Sequence, residues 1–222
     1  MIQLDDGRLG LALGDVSGKG ISAALLMASL RASLRGMTMD GPRDLAKLMQ
    51  KVNRLVYEAS ANNRYATFFF ATYDPATREL RYVNAGHNPP LVLRGSSSLW
   101  LDGGGPVVGL LTDAGYEEHY VALEPGDLLL AYTDGISETM THADEEWGEE
   151  RMMDSVIRRP EAHASEILKG IFAKADAFSA GAPQHDDMTL LLMKLDPLAS
   201  PTSLNGVAAA GAHSVHPTPL SS

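Results

Sequence analysis

The spacing of apolar residues changes period twice along this chain, and the order of those changes limits the fold more than any other feature. Between Tyr65 and Tyr132, aromatic and β-branched runs at 66–73, 80–83, 91–93, 116–123 and 127–132 predict antiparallel strands. Asp74-Pro75, Asn88-Pro89-Pro90, Gly103-Gly104-Gly105 and Pro125-Gly126 separate them with turn chemistry. Ahead of this block, 8–16 reads as a short strand covered on both faces, through Leu9, Leu11, Ala12, Leu13 and Val16. From 21 to about 35 the chain reads as a helix apolar almost all round, expected to be an inner, well-buried one. A second helix follows, with Pro42 suited to its first turn and Leu45, Leu48, Met49, Val52, Leu55, Val56 and Ala59 on one face. After the strands come a helix marked by Ile167, Leu168, Ile171, Phe172 and Ala175 and a last strand at 188–195. Such segregation predicts an α+β fold in which helices cover a β-sandwich, and not a doubly wound parallel sheet.

A chain of 222 residues, 45% of them hydrophobic, can bury one good-sized core, and its length fits one domain. A formal charge of −10 argues against sequence-independent binding to nucleic acid or anionic lipid, both of which it would repel. The lack of cysteine removes disulfides, thiolate zinc sites and cysteine nucleophiles, and is compatible with a reducing cytosol. No signal-peptide pattern opens the chain, and no stretch reaches the roughly 18 apolar residues of a membrane span. A cytoplasmic location is therefore expected. Beyond Asp196 the chain turns to Pro, Ser, Ala, Thr, Gly and His, so 1–196 is expected to be the folded domain and 197–222 a disordered tail. Asp5-Asp6-Gly7-Arg8 looks like a hairpin turn with only four residues before it, so a strand partner is expected to be missing upstream.

Three acidic sites stand where strands end or begin: Asp15, Asp134 and the pair Asp186-Asp187. Gly14, Gly18, Gly135 and Thr189 flank them and leave room for backbone and water. Oxygen donors without cysteine or clustered histidine point to Mg²⁺ or Mn²⁺, and two such ions could activate a bridging water for displacement at phosphorus. Each acid also has a plainer reading, since Asp134-Gly135 alone is a turn and Asp186 can simply start one. The segment from Gly14 to Gly20 fails as a nucleotide loop: three residues, not four, separate Gly14 from Gly18, and Gly20 follows Lys19 where Ser or Thr is needed. The helix start near Gly20 still favours an anion such as a phosphoryl group. Lys19 is the nearest basic residue to the first acid and a candidate for meeting that phosphate, against the plain alternative of a solvated lysine. His87 reads as a turn histidine bonded to backbone rather than as a general acid. Asp144, Glu145, Glu146, Glu149 and Glu150 read as a solvated loop and helix start.

Taken together and in order, the pieces are more specific. Gly14-Asp15-Val16-Ser17-Gly18-Lys19-Gly20 before Ala23-Ala24-Leu25-Leu26-Met27, then Tyr82-Val83-Asn84-Ala85-Gly86-His87-Asn88-Pro89-Pro90, Tyr132-Thr133-Asp134-Gly135-Ile136-Ser137-Glu138 and Asp186-Asp187-Met188-Thr189 resemble the SpoIIE-type branch of the PPM (type 2C-like) protein phosphatases. The resemblance spans about residues 4–195. It implies a four-layer α/β/β/α sandwich, two Mn²⁺ or Mg²⁺ ions, and hydrolysis of phosphoserine or phosphothreonine without a phosphoenzyme. The partner it implies is a phosphorylated protein, in this branch usually an anti-sigma-factor antagonist.

Carried over by position, the resemblance implies that Asp15 bridges both metals, with the Val16 carbonyl as an additional ligand. Asp134 and Asp186 are the other matched ligands, Asp187 supports them from behind, and the helix at 21–37 is a switch that positions Asp15. The family's upstream Gly-Gly-Asp motif has no counterpart in this sequence. One metal ligand and at least one strand are therefore expected to be absent, which would weaken at least one metal and leave a sheet edge open to pairing into a homodimer. Beside the phosphatase stands a second reading, a catalytically weak, truncated domain that binds the phosphoprotein.

Overall fold

The computed structural model describes residues 1–38, 41–59, 64–157 and 161–196, and the backbone of 207–210. The apolar runs become strands whose two faces feed different cores. In β2 (Leu9–Val16), Leu9, Leu11 and Leu13 turn to one side, and Ala12 and Val16 to the other. In β3 (Ala66–Asp74), Phe69, Ala71 and Tyr73 turn one way and Phe68 and Phe70 the other. The two-residue period of a strand makes this division unavoidable. It recurs in β9 (Leu128–Tyr132), where Leu129 and Ala131 oppose Leu128, Leu130 and Tyr132. In β10 (Leu190–Lys194), Leu191 and Met193 oppose Leu190 and Leu192.

One sheet runs β1 (Ile2–Gln3), β2, β3, β4 (Glu79–Ala85), β7 (Gly104–Gly105), with β8 (His119–Ala122) also on β4. The other runs β11 (Val207–Ala210), β10, β9, β5 (Leu91–Arg94), β6 (Ser97–Trp100). Leu9, Leu11, Phe69, Leu129 and Leu191 meet in the core between the sheets. On the outer face of the first sheet, α1 (Ile21–Thr38) and α2 (Leu45–Ala59) bury Leu26, Leu30, Leu48 and Val52 against Phe68, Phe70 and Val83. On the outer face of the second, α4 (Gly148–Ile157) and α5 (Ala164–Ser179) bury Met152, Ile167 and Ile171 against Leu130 and Leu190. The layers are helix, sheet, sheet, helix, as the α+β reading expects.

Several local expectations are corrected. Helix α1 is not an inner helix: only Ala23, Leu26, Leu30, Leu34 and Thr38 are buried, while Ile21 is 82% and Leu25 64% exposed. Composition reports how apolar a helix is but not what lies there to cover it, and α1 belongs to an outer layer. Pro42 precedes α2 rather than opening it; the start is set by Asp44, whose Oδ1 accepts the Lys47 N–H at 2.8 Å. Leu55 and Ala59 fall off the buried face of α2, which carries Asn53 instead. The expected run of antiparallel strands includes one parallel pair, β4 with β7. The hairpin partner β6 and helix α4 had no apolar signal strong enough to announce them. Within the stretch expected to be a tail, 207–210 pairs antiparallel with β10; the rest of 197–222 lies outside the described residues. Among the described residues, β1 covers only Leu9 and Gly10 of the outer edge of β2, and the edge from Leu11 to Val16 has no strand partner. Among them too, no helix is long and apolar enough to cross a membrane.

Asn53 ties α2 to the loop before β8. Its Oδ1 accepts the Gly109 N–H at 2.8 Å and its Nδ2 donates to the Leu111 carbonyl at 2.7 Å. With alanine there, two backbone groups would lose their partners, each at a cost of about 1–3 kcal/mol. Asn53→Ala is expected to lower the unfolding free energy by about 2–6 kcal/mol, read as an earlier urea midpoint at unchanged slope.

Candidate active site

The acids arrive at one end of the sandwich from both sheets. Asp15 is the penultimate residue of β2 and lies opposite Thr67 of β3. Strand β9 ends at Tyr132, and after Thr133 the chain enters the short helix α3 (Asp134–Ser137), so Asp134 stands two residues past the strand. Leu190 of β10 pairs with Tyr132, which brings the segment just before β10, with Asp186 and Asp187, back to the same end.

Backbone contacts close the gap between Asp134 and the pair. The Thr133 hydroxyl donates to the Asp187 carbonyl at 2.9 Å and accepts the Thr189 N–H at 2.9 Å, while the Thr133 N–H donates to the Thr189 carbonyl at 3.0 Å. Gly135 allows the approach: a Cβ there would stand 2.6 Å from the Asp187 carbonyl oxygen and 3.1 Å from that of Asp186. On the other sheet, Ser17 holds the loop after β2 to the start of β3. Its N–H donates to the Tyr65 carbonyl at 2.9 Å, and its Oγ accepts the Tyr65 N–H at 3.0 Å. Lys19 spans the two groups, donating to the His185 carbonyl at 2.7 Å with its Nζ 3.7 Å from Asp186 Oδ1.

A cavity of about 570 Å³ opens here, lined by Asp15, Val16, Lys19, Thr133, Asp186 and Asp187 among others, and by the first turn of α1. The Val16 side chain is in the first core, so only its backbone serves the cavity. Burial pushes the Asp15 carboxyl above its usual range, followed by the charges of Asp134, Asp186 and Asp187, against a hydrogen bond from the Val16 amide. Glu138, just past α3, is pushed up too, first by burial and then by Asp134, Glu146 and Asp186. A phosphoryl dianion would be repelled by such a mouth unless cations intervened.

The donor set fits Mg²⁺ or Mn²⁺ in chemistry, being all oxygen, and the repulsion on Asp15 is what a divalent ion would relieve. The spacing is looser than a finished cage: among the described residues, no group of three or more His, Asp or Glu side chains is gathered closely enough to hold an ion.

A family model described as Stage II sporulation protein E (SpoIIE) matches residues 5–196. The chain belongs to the SpoIIE family. Among curated proteins, it is 30% identical over 215 residues to "Protein IcfG" of Synechocystis sp., covering 85% of this chain and 34% of that protein. It is 27% identical over 205 residues to "Phosphoserine phosphatase RsbU" of Bacillus subtilis, covering 86% of this chain and 56% of that one. The chain thus spans 34% and 56% of the length of these two curated relatives. Among solved structures, the SiaA-PP2C domain of Pseudomonas aeruginosa superposes with a TM-score of 0.73 at 20% identity, covering 86% of this chain and 79% of that one. The PP2C phosphatase domain and regulatory-domain fragment of SpoIIE from Bacillus subtilis does so at 0.71 and 19%, covering 85% and 54%. The fold of this SpoIIE-family chain is that of the PPM phosphatase domains.

Of the residues singled out by sequence, Asp15, Val16, Lys19, Asp186 and Asp187 line one cavity, and Asp134 stands beside it as the strongest charge acting on Asp15. His87 is elsewhere. It is buried, its N–H donates to Asn84 Oδ1 at 2.8 Å and its Nδ1 meets Thr67 Oγ1 at 2.9 Å, in agreement with a turn histidine. Glu149 and Glu150 fall in the first turn of α4, where Glu149 accepts a hydrogen bond from the buried Tyr132 hydroxyl. Sequence reading passed over the clamp made by Thr133, although it stands inside a quoted motif. It also passed over Gln184 and His185, which line the cavity and carry no sequence signal of their own.

Two outcomes are expected. Gly135→Ala forces a Cβ against backbone that cannot turn aside, and should lower stability by about 1–3 kcal/mol in urea titrations. Burial pushes His87 down to about 4, from an ordinary 6.5, with the Tyr132 carbonyl opposing. Between those values the unfolded chain takes up a proton that the folded one refuses, so this contribution is intact above pH 6.5 and is lost as pH falls towards 4. The loss is about 3 kcal/mol. Asp15 and Glu138, with raised values, act in the opposite sense, so the check is the difference between wild type and His87→Gln. The variant's unfolding free energy should be less steep against pH across that window.

Proposed function

We propose that this chain is the catalytic domain, within 1–196, of a metal-dependent phosphatase that removes phosphate from serine or threonine of a regulatory protein in the cytoplasm. The observation that carries the reading is the meeting of Asp15, Asp134, Asp186 and Asp187, from three separate stretches of chain, at one cavity where the last three all raise the carboxyl of the first. Relatives bear the name phosphoserine phosphatase, and the order of motifs adds to the case.

In this reading Asp15, the Val16 carbonyl, Asp134 and Asp186 would hold two Mn²⁺ or Mg²⁺ ions, and Asp187 would orient Asp186 through its backbone, whose N–H donates to Asp186 Oδ1 at 2.8 Å. The ions would supply an activated water and neutralise the phosphoryl oxygens during in-line displacement. The residues of the chain do the rest. Lys19, 72% exposed along its side chain, can leave Asp186 to meet the incoming phosphate, and Gly20, Ala23 and Ala24 at the start of α1 line the same cavity. Thr133 and Gly135 hold the two acidic segments in register. The substrate proposed is a phosphorylated anti-sigma-factor antagonist.

The loose spacing of the acids favours one alternative, a catalytically weak domain that binds the phosphoprotein. Hydrolysis of p-nitrophenyl phosphate and of a phosphoserine peptide with added Mn²⁺ separates the two. The phosphatase reading expects turnover that chelator abolishes and that Asp15→Asn or Asp186→Asn lowers about hundredfold or more, with little change in Asp187→Asn, which keeps the backbone N–H that holds Asp186. Turnover indifferent to chelator would refute it, and tight peptide binding without turnover would favour the alternative.

A further inference from the structure

A second cavity, of about 440 Å³, lies against the first and shares Gln184, His185 and Asp186 with it as a common wall. Met140, Ala182, Pro183 and Met188 supply apolar surface to it. Glu138, just past α3, and Asp176, in the last turn of α5, bring carboxylates. Among the described residues neither acid forms an ion pair. Ala180 and Gly181 both take left-handed backbone after α5, which turns the chain sharply where Gly181, Ala182 and Pro183 enter the groove's wall.

We propose that this groove is a specificity subsite for the side chain of a lysine or arginine next to the phosphorylated residue of the substrate. The inference rests on the phosphatase reading and names the class of peptide that the site prefers. Long basic side chains carry an apolar stem and a charged head, and the groove offers an apolar wall and carboxylates to match. An apolar side chain would desolvate Glu138 and Asp176 without pairing them, and an acidic one would be repelled. A bound metal ion is the poorer occupant, because the side chains of Met140, Ala182, Pro183 and Met188 offer a hard cation no oxygen donors. The shared wall places the groove within one or two residues of the phosphate along an extended peptide, at about 3.3 Å per residue. On a chain of net charge −10, a basic residue beside the phosphate also offsets the mean repulsion of an acidic ligand.

The test uses phosphoserine peptides that differ at one position, scanned from three residues before to three after the phosphoserine, with Arg, Gln or Glu there. Turnover with Mn²⁺ is measured for each, and binding to the same full chain is followed in parallel by fluorescence anisotropy. At one or two positions Arg is expected to exceed Gln by about three- to fivefold in kcat/KM and in affinity, with Glu lowest. Asp176→Asn should level that order and Asp176→Lys reverse it. Glu138→Gln serves as a second, gentler variant, and thermal melts establish that each variant is folded. Hydrolysis that proceeds with no charge preference would overturn the subsite and leave the phosphatase standing. If neither p-nitrophenyl phosphate nor any peptide is hydrolysed, it is the phosphatase reading that fails. Anisotropy then still decides the groove: a preference for Arg lost in Asp176→Asn upholds it, and binding indifferent to charge, or none, sinks it.

Discussion

Carboxylates of like charge, held within electrostatic reach of one another, are the constraint to which the rest of this structure answers. Left to themselves, Asp15, Asp134, Asp186 and Asp187 would spread apart into water. The groups that prevent it are mostly uncharged: strand pairing of β2 with β3 and of β9 with β10, the hydroxyl of Thr133, the bare backbone of Gly135, and Ser17 fastened to Tyr65. Behind them, three apolar cores make the strand ends stiff enough to bear the repulsion. Burial first, and that repulsion second, raise the carboxyl of Asp15, the kind of perturbation that gathers where chemistry is done.

The sandwich was readable because period-2 burial on both faces leaves strands with nearly unbroken apolar runs, and few architectures cover both faces of two sheets. Strands β2, β3, β9 and β10 stood out for this reason. What escaped was local or depended on partners. Gly104 and Gly105 pair with β4, yet no side chain reports a two-residue strand made of glycine. Helix α4 buries Met152 and Val156 in a stretch whose charged residues, Glu149, Glu150, Arg151 and Asp154, are as many as its apolar ones. The exposed face of α1 is not legible in its sequence, because an Ala- and Leu-rich helix has the same composition inside a protein and on its outer layer.

At the site, the identity of the acids was legible and their spacing was not. Asp15, Asp134 and Asp186 could be chosen from flanking small residues and from the order of the motifs. Lys19 was chosen as the nearest cation, but its bond to the His185 carbonyl joins residues far apart in the chain, and no local pattern encodes that. Gln184 and the neighbouring groove are of the same kind, being products of the turn that the chain takes after α5.

The sequence by itself determined the layer order, the oxygen-only chemistry of the site and the glycines its turns require, because period, side-chain type and backbone freedom are properties of residues taken singly or in short runs. Only the tertiary structure decided which charges push up the carboxyl of Asp15, that His87 is sealed away from the mouth, and that a second, carboxylate-bearing groove adjoins the first. Those outcomes depend on distances between segments that lie from 20 residues apart, as Thr67 and His87 do, to more than a hundred, as Asp15 and Asp134 do, and such distances are set by packing across the sheets and not by any one stretch of chain.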